Sequence, residues 1–240
     1  MAIRAITFDL DNTLWDVEAP LLRAEAAQRA WFEAHRPNVI ELLIPTVMNE
    51  IRKELVAECA DIHHSVTAMR REFIHRVQLR AGYSEADSQV GTDGAFSEFL
   101  AVRQQVELFE DVADTLRTLA ASYTLGALTN GNADVFKTEA GEFMDFAFLA
   151  EEVGAGKPDP ALFEAAIAKT GLQASQILHV GDSPDHDIDG AHAVGLRTAW
   201  INPDNKAWAK GKAPLLTLRH VRELPEAIAL INGGSSGSKP

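Results

Sequence analysis

Four short apolar runs, each ending in polar residues or glycine, constrain the fold of this chain more than any other feature of its sequence. They are Ile3 to Phe8, Tyr123 to Leu128, Ile177 to Val180 and Thr198 to Ile201. Patterns with helical spacing lie between them. Strands that alternate with helices predict an α/β fold with a doubly wound parallel sheet. Ligands of such sheets bind at the carboxyl ends of the strands, which is where the polar residues fall.

The stretch of about ninety residues between the first strand and Leu108 has a different pattern. The segments 21–31, 40–60, 66–79 and 84–102 are helical in spacing, with neither β-branched runs nor strand alternation. We therefore expect an all-helical insertion, the cap, over 15–105. The sheet core is expected to comprise 1–14 and 106–232, and the Gly- and Ser-rich residues 233–240 predict a flexible tail.

Charge and cysteine usage limit the classes of partner and compartment. The formal net charge is -13, whereas binding to nucleic acid draws on clustered Lys and Arg, and an anionic membrane surface is disfavoured for the same reason. Cys59 is the only cysteine, so no intrachain disulfide can form, and a reducing cytosol is the simplest compartment. No apolar run approaches the roughly 18 residues of a membrane-spanning helix. The sequence predicts a cytoplasmic protein and leaves its oligomeric state open.

Polar side chains at the predicted strand ends and in one turn before a helix are candidates for a functional site. They are Asp9, Asp11, Thr129, Asn130, Lys157, Asp182 and Asp187. Taken singly, each motif also fits a turn or a helix cap. Because the motifs lie at one edge of one sheet and supply complementary chemistry, we expect them to form a shared catalytic site.

The two acids in "FDLDNTL" suit a phosphoryl transfer in two steps. A carboxylate at Asp9 can attack phosphorus and form a covalent acyl phosphate. A second carboxylate at Asp11 can protonate the leaving oxygen and then take a proton from water, a role that typically contributes about 10²–10⁴-fold in rate.

So many acids would repel a phosphate dianion unless a cation were present. Two unit charges about 4 Å apart interact by about 4 kcal/mol at an effective dielectric constant of about 20. We expect Asp9 and Asp182 to hold Mg²⁺, which takes oxygen ligands and also contacts substrate phosphates. Lys157 adds a fixed positive charge. The Thr129 hydroxyl and the amides near Asn130 are expected to donate hydrogen bonds to the phosphoryl oxygens.

Four motifs together resemble those of a known enzyme superfamily. "FDLDNTL", "LTNG", "GKPDP" and "GDSPDHDIDGA" resemble, in order, the four signature motifs of the haloacid dehalogenase superfamily of phosphatases. The helical stretch resembles their insertion cap, so the resemblance covers nearly the whole chain except the tail. It implies a Rossmann-like core, an aspartyl-phosphate intermediate and Mg²⁺ as cofactor.

The resemblance also implies a role for each matching residue. Asp9 would be the nucleophile and Asp11 the acid/base, with the backbone carbonyl of Asp11 helping to bind Mg²⁺. Asp182 would be the acidic metal ligand, and Asp187 would support the metal site or Lys157. These assignments are expectations that follow from the motifs.

The finer resemblance concerns the substrate. The start "DLDNTLWD", the form "TNGNA" and the close "ILHVGD…AWINP" are similar to cytosolic phosphatases of flavin mononucleotide and of the phosphorylated ribitylaminouracil intermediate of riboflavin synthesis. The expected partner is therefore a small phosphorylated metabolite of this ribityl type. Other sugar phosphates or nucleoside monophosphates are the alternative.

Several other classes of protein share part of this pattern. Dehalogenases of the superfamily lack the second aspartate of the first motif, so Asp11 argues against them. Sugar-phosphate mutases keep the same four motifs and stay open. Lys53, which lies in the predicted cap, has no neighbouring signals of a phosphonate-cleaving lysine. Receiver domains are about half this length without a helical insertion, and a silent binding protein is disfavoured because every expected catalytic side chain is present.

Three residues of the cap segment "DIHHSVTAMRR" are candidates to contact the part of the substrate beyond the phosphate. They are His64, Thr67 and Arg70. A solvated or capping role is the alternative, because adjacent residues on a helix point in different directions. Trp15 and Asp16 directly follow the first motif, at the predicted hinge, where a side chain could close over the substrate.

Overall fold

The computed structural model describes residues 1–234, which divide into two compact units. The core unit contains Met1–Asp16 and the chain from Glu107 onward, and the cap unit is Val17–Val106. Gly233 and Gly234 end the last helix, and the remaining residues of the predicted flexible tail lie outside the described part of the chain. Within residues 1–234, no helix combines the length and the hydropathy needed to span a bilayer.

The cap unit is helical throughout its main elements. Its helices are α1 (Glu18–His35), α2 (Pro45–Glu58), α3 (Val66–Arg80) and α4 (Glu85–Arg103). Short 3₁₀ turns at Pro37–Leu42 and Ala60–Ile62 precede α2 and α3. The side chains of Ser65 and Ser84 accept backbone N–H groups at the starts of α3 and α4, which satisfies donors that a helix end leaves unpaired. Buried apolar side chains such as Phe32 and Phe99 form the hydrophobic core of the cap unit.

The core unit is built on one six-stranded sheet in which every neighbouring pair is parallel. Its strands are β1 (Ala5–Phe8), β2 (Thr124–Thr129), β3 (Phe146–Leu149), β4 (Ile177–Gly181), β5 (Arg197–Ile201) and β6 (Leu216–Leu218). The order across the sheet is β3-β2-β1-β4-β5-β6. The predicted α/β class with a parallel, doubly wound sheet is confirmed.

Two edge strands were absent from the sequence prediction. The four predicted strands correspond to β1, β2, β4 and β5, which lie side by side. The additional strands β3 and β6 have four and three residues and lie at the two edges of the sheet. Such short runs carry little periodic signal, because a strand is recognised from alternation or from a sustained apolar run.

The remaining α-helices belong to the core unit, where all but the last, which follows β6, precede or connect strands of the sheet. They are α5 (Val112–Ala120), α6 (Ala150–Val153), α7 (Ala161–Thr170), α8 (Gly190–Ala193) and α9 (Leu224–Gly234). Phe163 and Ala166 of α7 are fully buried in a cluster with Leu128 of β2 and Phe146 of β3. This packing fixes α7, and with it the loop that precedes α7, against the sheet.

The order of the strands creates a switch point beside β1. The chain adds β2 and β3 on one side of β1 and then crosses to add β4, β5 and β6 on the other. In open α/β sheets, ligands bind outside the carboxyl ends of the strands at such a point. Asp9 follows β1 and Asp182 follows β4, so these two acids flank the switch point.

Candidate active site

A pocket of about 240 Å³ lies in the core unit, and the residues after β1, β2 and β4 line it. The lining residues are Asp9, Asp11, Asn12, Thr129, Asn130, Gly131, Lys157, Asp182, Ser183, His186 and Asp187. The structure therefore brings together all of the candidate residues that the sequence analysis placed at the sheet edge.

The ammonium group of Lys157 is held by three hydrogen bonds. Its Nζ donates to Oδ1 of Asp9 at 2.6 Å, to Oδ1 of Asp187 at 2.7 Å and to the carbonyl oxygen of Leu128 at 2.7 Å. An ammonium has three N–H donors, so these contacts use its full capacity. The side chain is buried, and its positive charge is consequently fixed beside the Asp9 carboxylate.

Asp187 is held on both of its oxygens. Oδ1 accepts from Lys157 and lies 3.2 Å from Nε2 of His179, and Oδ2 accepts the backbone N–H of Ser183 at 2.9 Å. The side chain fills the space beside Gly181, where an added Cβ would lie 2.2 Å from Cγ of Asp187. Any side chain at position 181 would therefore displace Asp187.

The Asn130 side chain is engaged with the backbone of Lys157. Its Nδ2 donates to the Lys157 carbonyl at 2.8 Å, and its Oδ1 accepts the Lys157 N–H at 2.7 Å. Gly156 leaves room for this contact, because a Cβ there would lie 3.0 Å from Oδ1 of Asn130. In this structure Asn130 joins the loop after β2 to the loop that carries Lys157, and its side chain acts on the site through that lysine.

Two threonine hydroxyls lie near the site: one contacts Asp9, and the other lines the pocket. Oγ1 of Thr13 donates to Oδ2 of Asp9 at 3.3 Å. Oγ1 of Thr129 accepts the N–H of Gly131 at 2.9 Å. This hydrogen bond to the loop after β2 fixes the orientation of the Thr129 hydroxyl oxygen at the pocket wall.

Trp15 holds Asp11 and does not act as a lid. Its indole Nε1 donates to Oδ1 of Asp11 at 2.7 Å, and the Trp15 side chain is fully buried in the core unit. The expectation that Trp15 closes over the substrate is therefore wrong. Asp16 is exposed. A large aromatic residue has more to gain from burial than from a mobile position at the surface, and its N–H needs a partner once buried.

The pocket concentrates negative charge. Burial raises the pKa of Asp9 to about 7; Lys157 opposes this shift, and Asp187 adds to it. Burial, followed by the nearby Asp187, raises the pKa of Asp182 to about 6. Burial acts to lower the pKa of Lys157, but Asp187 and Asp9 outweigh it and the pKa lies above its ordinary value. Four lining carboxylates thus face one ammonium group.

The donor set fits a divalent cation. Ligand oxygens of Asp9, Asp182 and Asp187 lie within 4.8 Å of one another. Lys157, His179 and Ser183 engage both Asp187 oxygens at 3.2 Å or less, whereas Oδ2 of Asp9 has a longer contact of 3.3 Å with Thr13, so Asp9 and Asp182 are the better-suited carboxylates of the three. Carboxylate oxygens are hard donors of the type that Mg²⁺ takes.

The cap candidates lie at or beside the start of α3. His64 and Thr67 are partly exposed. The Arg70 guanidinium lies 3.9 Å from the centre of the Phe99 ring and contacts Glu25 at 3.3 Å. Burial lowers the pKa of Arg70. Arg70 therefore has a packing role within the cap unit, whatever it contacts in a complex.

His179 and Thr7 were missed by the sequence analysis. Both are fully buried, and Nδ1 of His179 lies 2.9 Å from Oγ1 of Thr7. Burial lowers the pKa of His179. A signal was present, because "ILHVG" and "AITF" each place one polar residue inside an otherwise apolar buried strand. Buried polar groups need partners, so each of these residues could be predicted to have a hydrogen-bond partner.

Comparison with known proteins gives a family for this chain. Residues 3–195 match the family model described as haloacid dehalogenase-like hydrolase. The 5-amino-6-(5-phospho-D-ribitylamino)uracil phosphatase of Escherichia coli is 30% identical over 230 residues, covering 94% of this chain and 96% of that protein. The glyceraldehyde 3-phosphate phosphatase of Pyrococcus abyssi is 29% identical, covering 99% and 97% of the two chains.

A solved structure is similar over the same extent. The crystal structure of a 2-haloacid dehalogenase from Pseudomonas syringae matches with a TM-score of 0.91 and 39% identity, covering 95% of this chain and 99% of that one. The superfamily predicted from the four motifs is thus confirmed by family model, relatives and fold together. The chain belongs to the haloacid dehalogenase-like hydrolase family.

Proposed function

We propose that the protein is a Mg²⁺-dependent phosphomonoester hydrolase that works through an aspartyl-phosphate intermediate. The observation that carries the proposal is the presence of two carboxylates, Asp9 and Asp11, in one pocket with different partners. Asp9 contacts the Lys157 ammonium, and Asp11 accepts the Trp15 indole N–H. Different environments suit two carboxylates to different tasks.

In the first step, a carboxylate oxygen of Asp9 attacks phosphorus and the bond to the leaving oxygen breaks. Asp11, protonated at this stage, gives its proton to that oxygen, so that an alcohol leaves. In the second step, water attacks the phosphorus and Asp11 takes a proton from it. The acyl phosphate then breaks to release inorganic phosphate, and the Asp9 carboxylate is regenerated.

Other residues of the pocket bind and orient the phosphoryl group. Lys157 balances part of the negative charge, and the Thr129 hydroxyl together with the backbone amide of Asn130 is proposed to donate to phosphoryl oxygens. Asp9, Asp182 and the Asp11 carbonyl would hold Mg²⁺, with Asp187 supporting the site through Lys157. When bound, Mg²⁺ offsets the repulsion between the acids and the substrate dianion.

The proposed substrate is a small ribityl-type phosphate, either flavin mononucleotide or 5-amino-6-(5-phospho-D-ribitylamino)uracil. The second compound is the substrate in the name of the Escherichia coli relative, which matches this chain over nearly its full length. Other sugar phosphates and nucleoside monophosphates are the alternative, because relatives of similar identity are named for different phosphates. A cytoplasmic location is proposed with this substrate.

The test is a release assay with the purified full chain and Mg²⁺. Inorganic phosphate would be measured from both ribityl phosphates, glyceraldehyde 3-phosphate, a set of sugar phosphates and nucleoside monophosphates, and p-nitrophenyl phosphate. We expect release from the aryl phosphate and the highest kcat/KM on a ribityl phosphate. Background release from both ribityl phosphates would refute that substrate, while release from another phosphate would keep the phosphatase assignment.

Dehalogenation is the second candidate because the 39% identical structure is that of a protein named a 2-haloacid dehalogenase. Displacement of halide from carbon produces an anion that leaves without a proton, so the first step of that reaction has no task for Asp11 as an acid. A haloacid also carries no phosphate dianion, so its binding beside the four carboxylates of the pocket would create less need for a cation. In the same assay we therefore expect background halide release from 2-chloropropionate, and halide release without phosphate release would favour the dehalogenase.

The Asp11→Asn variant should lose about 10²-fold or more in turnover of an alkyl phosphate, because the amide cannot transfer the proton. The loss should be smaller on p-nitrophenyl phosphate, whose nitrophenolate leaves without protonation. Asn keeps an acceptor for the Trp15 N–H, so the local hydrogen bond can persist. Trp15→Phe, which keeps the carboxylate and removes the N–H, serves as the matched variant and should lose less. Near-normal turnover of the alkyl phosphate by Asp11→Asn would contradict the assignment.

Arg70→Ala and His64→Ala should raise KM for the physiological substrate and change hydrolysis of p-nitrophenyl phosphate much less. The minimal substrate lacks the group that these residues, with Thr67, are proposed to hold. Arg71→Ala is the control, since Arg71 is also ion-paired on α3 and lies 5.4 Å from the Phe96 ring. Equal losses of kcat/KM on both substrates would instead indicate that Arg70 stabilises the cap unit by packing against Phe99 and does not contact the substrate.

A further inference from the structure

We propose that Thr7 and His179 are positioning residues that hold Asp187, and through it the Lys157 ammonium, in place against Asp9. The kinetic consequence of this arrangement rests on the proposed phosphatase function. The arrangement itself is a chain of buried hydrogen bonds that runs from β1 through β4 into the pocket. Neither Thr7 nor His179 lines the pocket, so both would act through Asp187.

The register of the sheet places the pair directly behind the site. Thr7 of β1 and His179 of β4 are partners across adjacent parallel strands, and both are fully buried. Side chains two residues apart along a strand share a face, so Asp9 lies on the face of Thr7 and Gly181 on the face of His179. The Thr7–His179 pair therefore lies one layer below Asp9, and also one layer below the space that Asp187 fills.

The hydrogen bonds determine which ring nitrogen of His179 carries a proton. Asp187 is ionised, because its oxygens accept from the Lys157 ammonium and the Ser183 N–H, and an ionised carboxylate can accept but cannot donate. Nε2 of His179 must therefore be the donor to Oδ1 of Asp187. In a neutral ring Nδ1 is then an acceptor, and the Thr7 hydroxyl donates to it. Asp187 thus selects the tautomer, and the Thr7 hydroxyl, by donating to Nδ1, holds the ring in that orientation.

The surroundings leave His179 and Asp187 little freedom. The Phe163 ring meets the imidazole edge-on, with 5.0 Å between centroids. Oδ1 of Asp187 is shared by the His179 and Lys157 donors, and Gly181 leaves the space that the carboxylate occupies. With the Leu128 carbonyl as its third acceptor, Lys157 has each N–H direction fixed. Small displacements matter in such a site, since a shift of about 1 Å can cost about 10²-fold in rate.

The first experiment is independent of activity. Long-range ¹H–¹⁵N correlation spectra of the imidazole groups report the tautomer of His179 in the folded full chain. We expect Nε2–H with an unprotonated Nδ1 in the wild type, and a changed Nδ1 chemical shift with the same tautomer in Thr7→Val, because that variant removes only the donor to Nδ1. A wild-type ring with its proton on Nδ1 would overturn the proposal, because neither the Thr7 nor the Asp187 contact could then have the inferred direction.

The second experiment is kinetic. Thr7→Val removes the hydroxyl with little change of shape, and we expect kcat to fall by about tenfold, as for outer partners of site residues elsewhere. KM should stay within about twofold, since the substrate-contacting groups remain. Thr7→Ser, which restores a hydroxyl, should recover most of the rate. Likewise His179→Gln, which keeps an N–H for Asp187, should retain more activity than His179→Phe.

The chain offers a control in a second Thr–His contact, in which the threonine is buried and the histidine is half-buried. Oγ1 of Thr198 lies 2.9 Å from Nε2 of His192, and Thr198 is as fully buried as Thr7. Thr198→Val should lower the melting temperature to a similar degree and leave kcat at the wild-type value. Equal kcat values for folded Thr7→Val and Thr198→Val would overturn the positioning role. Failure of the wild type on every phosphate would refute the proposed function, whereas the tautomer measurement would still test the hydrogen-bond chain.

Discussion

Asp9→Asn is expected to abolish turnover, with a loss of at least about 10³-fold, and to prevent formation of any phosphoenzyme. The amide is not a nucleophile toward phosphorus, so the covalent step is lost altogether. Rapid acid quench of the wild type with substrate should trap an acid-stable, hydroxylamine-sensitive phosphoryl group on Asp9, identifiable by peptide mass spectrometry. The same quench of the variant should leave the peptide unmodified.

The substitution tests chemistry more than folding. An Asn at position 9 can still accept from Lys157 through its Oδ1, and its Nδ2, in the place of the native Oδ2, can donate to the Thr13 hydroxyl oxygen. Lys157 also keeps Asp187 and the Leu128 carbonyl. We expect a similar melting temperature for the variant and the wild type. A phosphoenzyme formed by Asp9→Asn at the wild-type rate would place the nucleophile elsewhere.

The sequence predicted the place of the site because a parallel sheet leaves few alternatives. An apolar strand that ends in polar residues must deliver them to the carboxyl edge, and all parallel strands share that edge. Asp9 and Asp182 could therefore be placed together from two short motifs, although 172 intervening residues separate them in the chain. The helical spacing in 15–105 similarly predicted helices, and α1–α4 lie in this range.

Side-chain directions were not predictable in the same way. A loop asparagine such as Asn130 has several possible partners, and the choice of the Lys157 backbone depends on how α7 and its preceding loop pack. Trp15 was expected at a hinge where a side chain could close over the substrate, yet it is fully buried and its N–H donates to Asp11. Motifs fix residue types at strand ends, whereas packing decides which atoms meet.

His179 shows a related limit. Its place in an apolar strand predicts a buried ring with a hydrogen-bond partner, but the motif does not say which partner. That answer needs the register of β1 against β4, which pairs His179 with Thr7, and it needs the turn that brings Asp187 back over Gly181. The turn over Pro184–Asp189 is a π-helical one, a local form that apolar periodicity does not reveal.

Removal of divalent metal is expected to be as damaging as loss of the nucleophile. Four carboxylates line the pocket against one ammonium, and a substrate phosphate would add about two further negative charges. Each uncompensated pair of charges at about 4 Å costs about 4 kcal/mol at an effective dielectric constant of about 20, so several pairs would prevent binding. With excess chelator we expect turnover of p-nitrophenyl phosphate to fall by at least about 10³-fold and to return with added Mg²⁺.

A comparison of two Asp→Asn variants, one at a proposed Mg²⁺ ligand and one at a nearby exposed acid, makes the test specific to the proposed ligands. Asp182→Asn should raise the Mg²⁺ concentration needed for half-maximal activity, because it removes a carboxylate beside Asp9. Asp185→Asn changes an exposed acid of the same turn that pairs with Lys210, and it should leave this concentration unchanged. Stabilisation by Mg²⁺ gives a second readout without substrate: the wild type should melt at a higher temperature with Mg²⁺, and Asp182→Asn should show a smaller increase. Full activity in chelator would refute the metal requirement, and an equal Mg²⁺ dependence of both variants would remove Asp182 from the site.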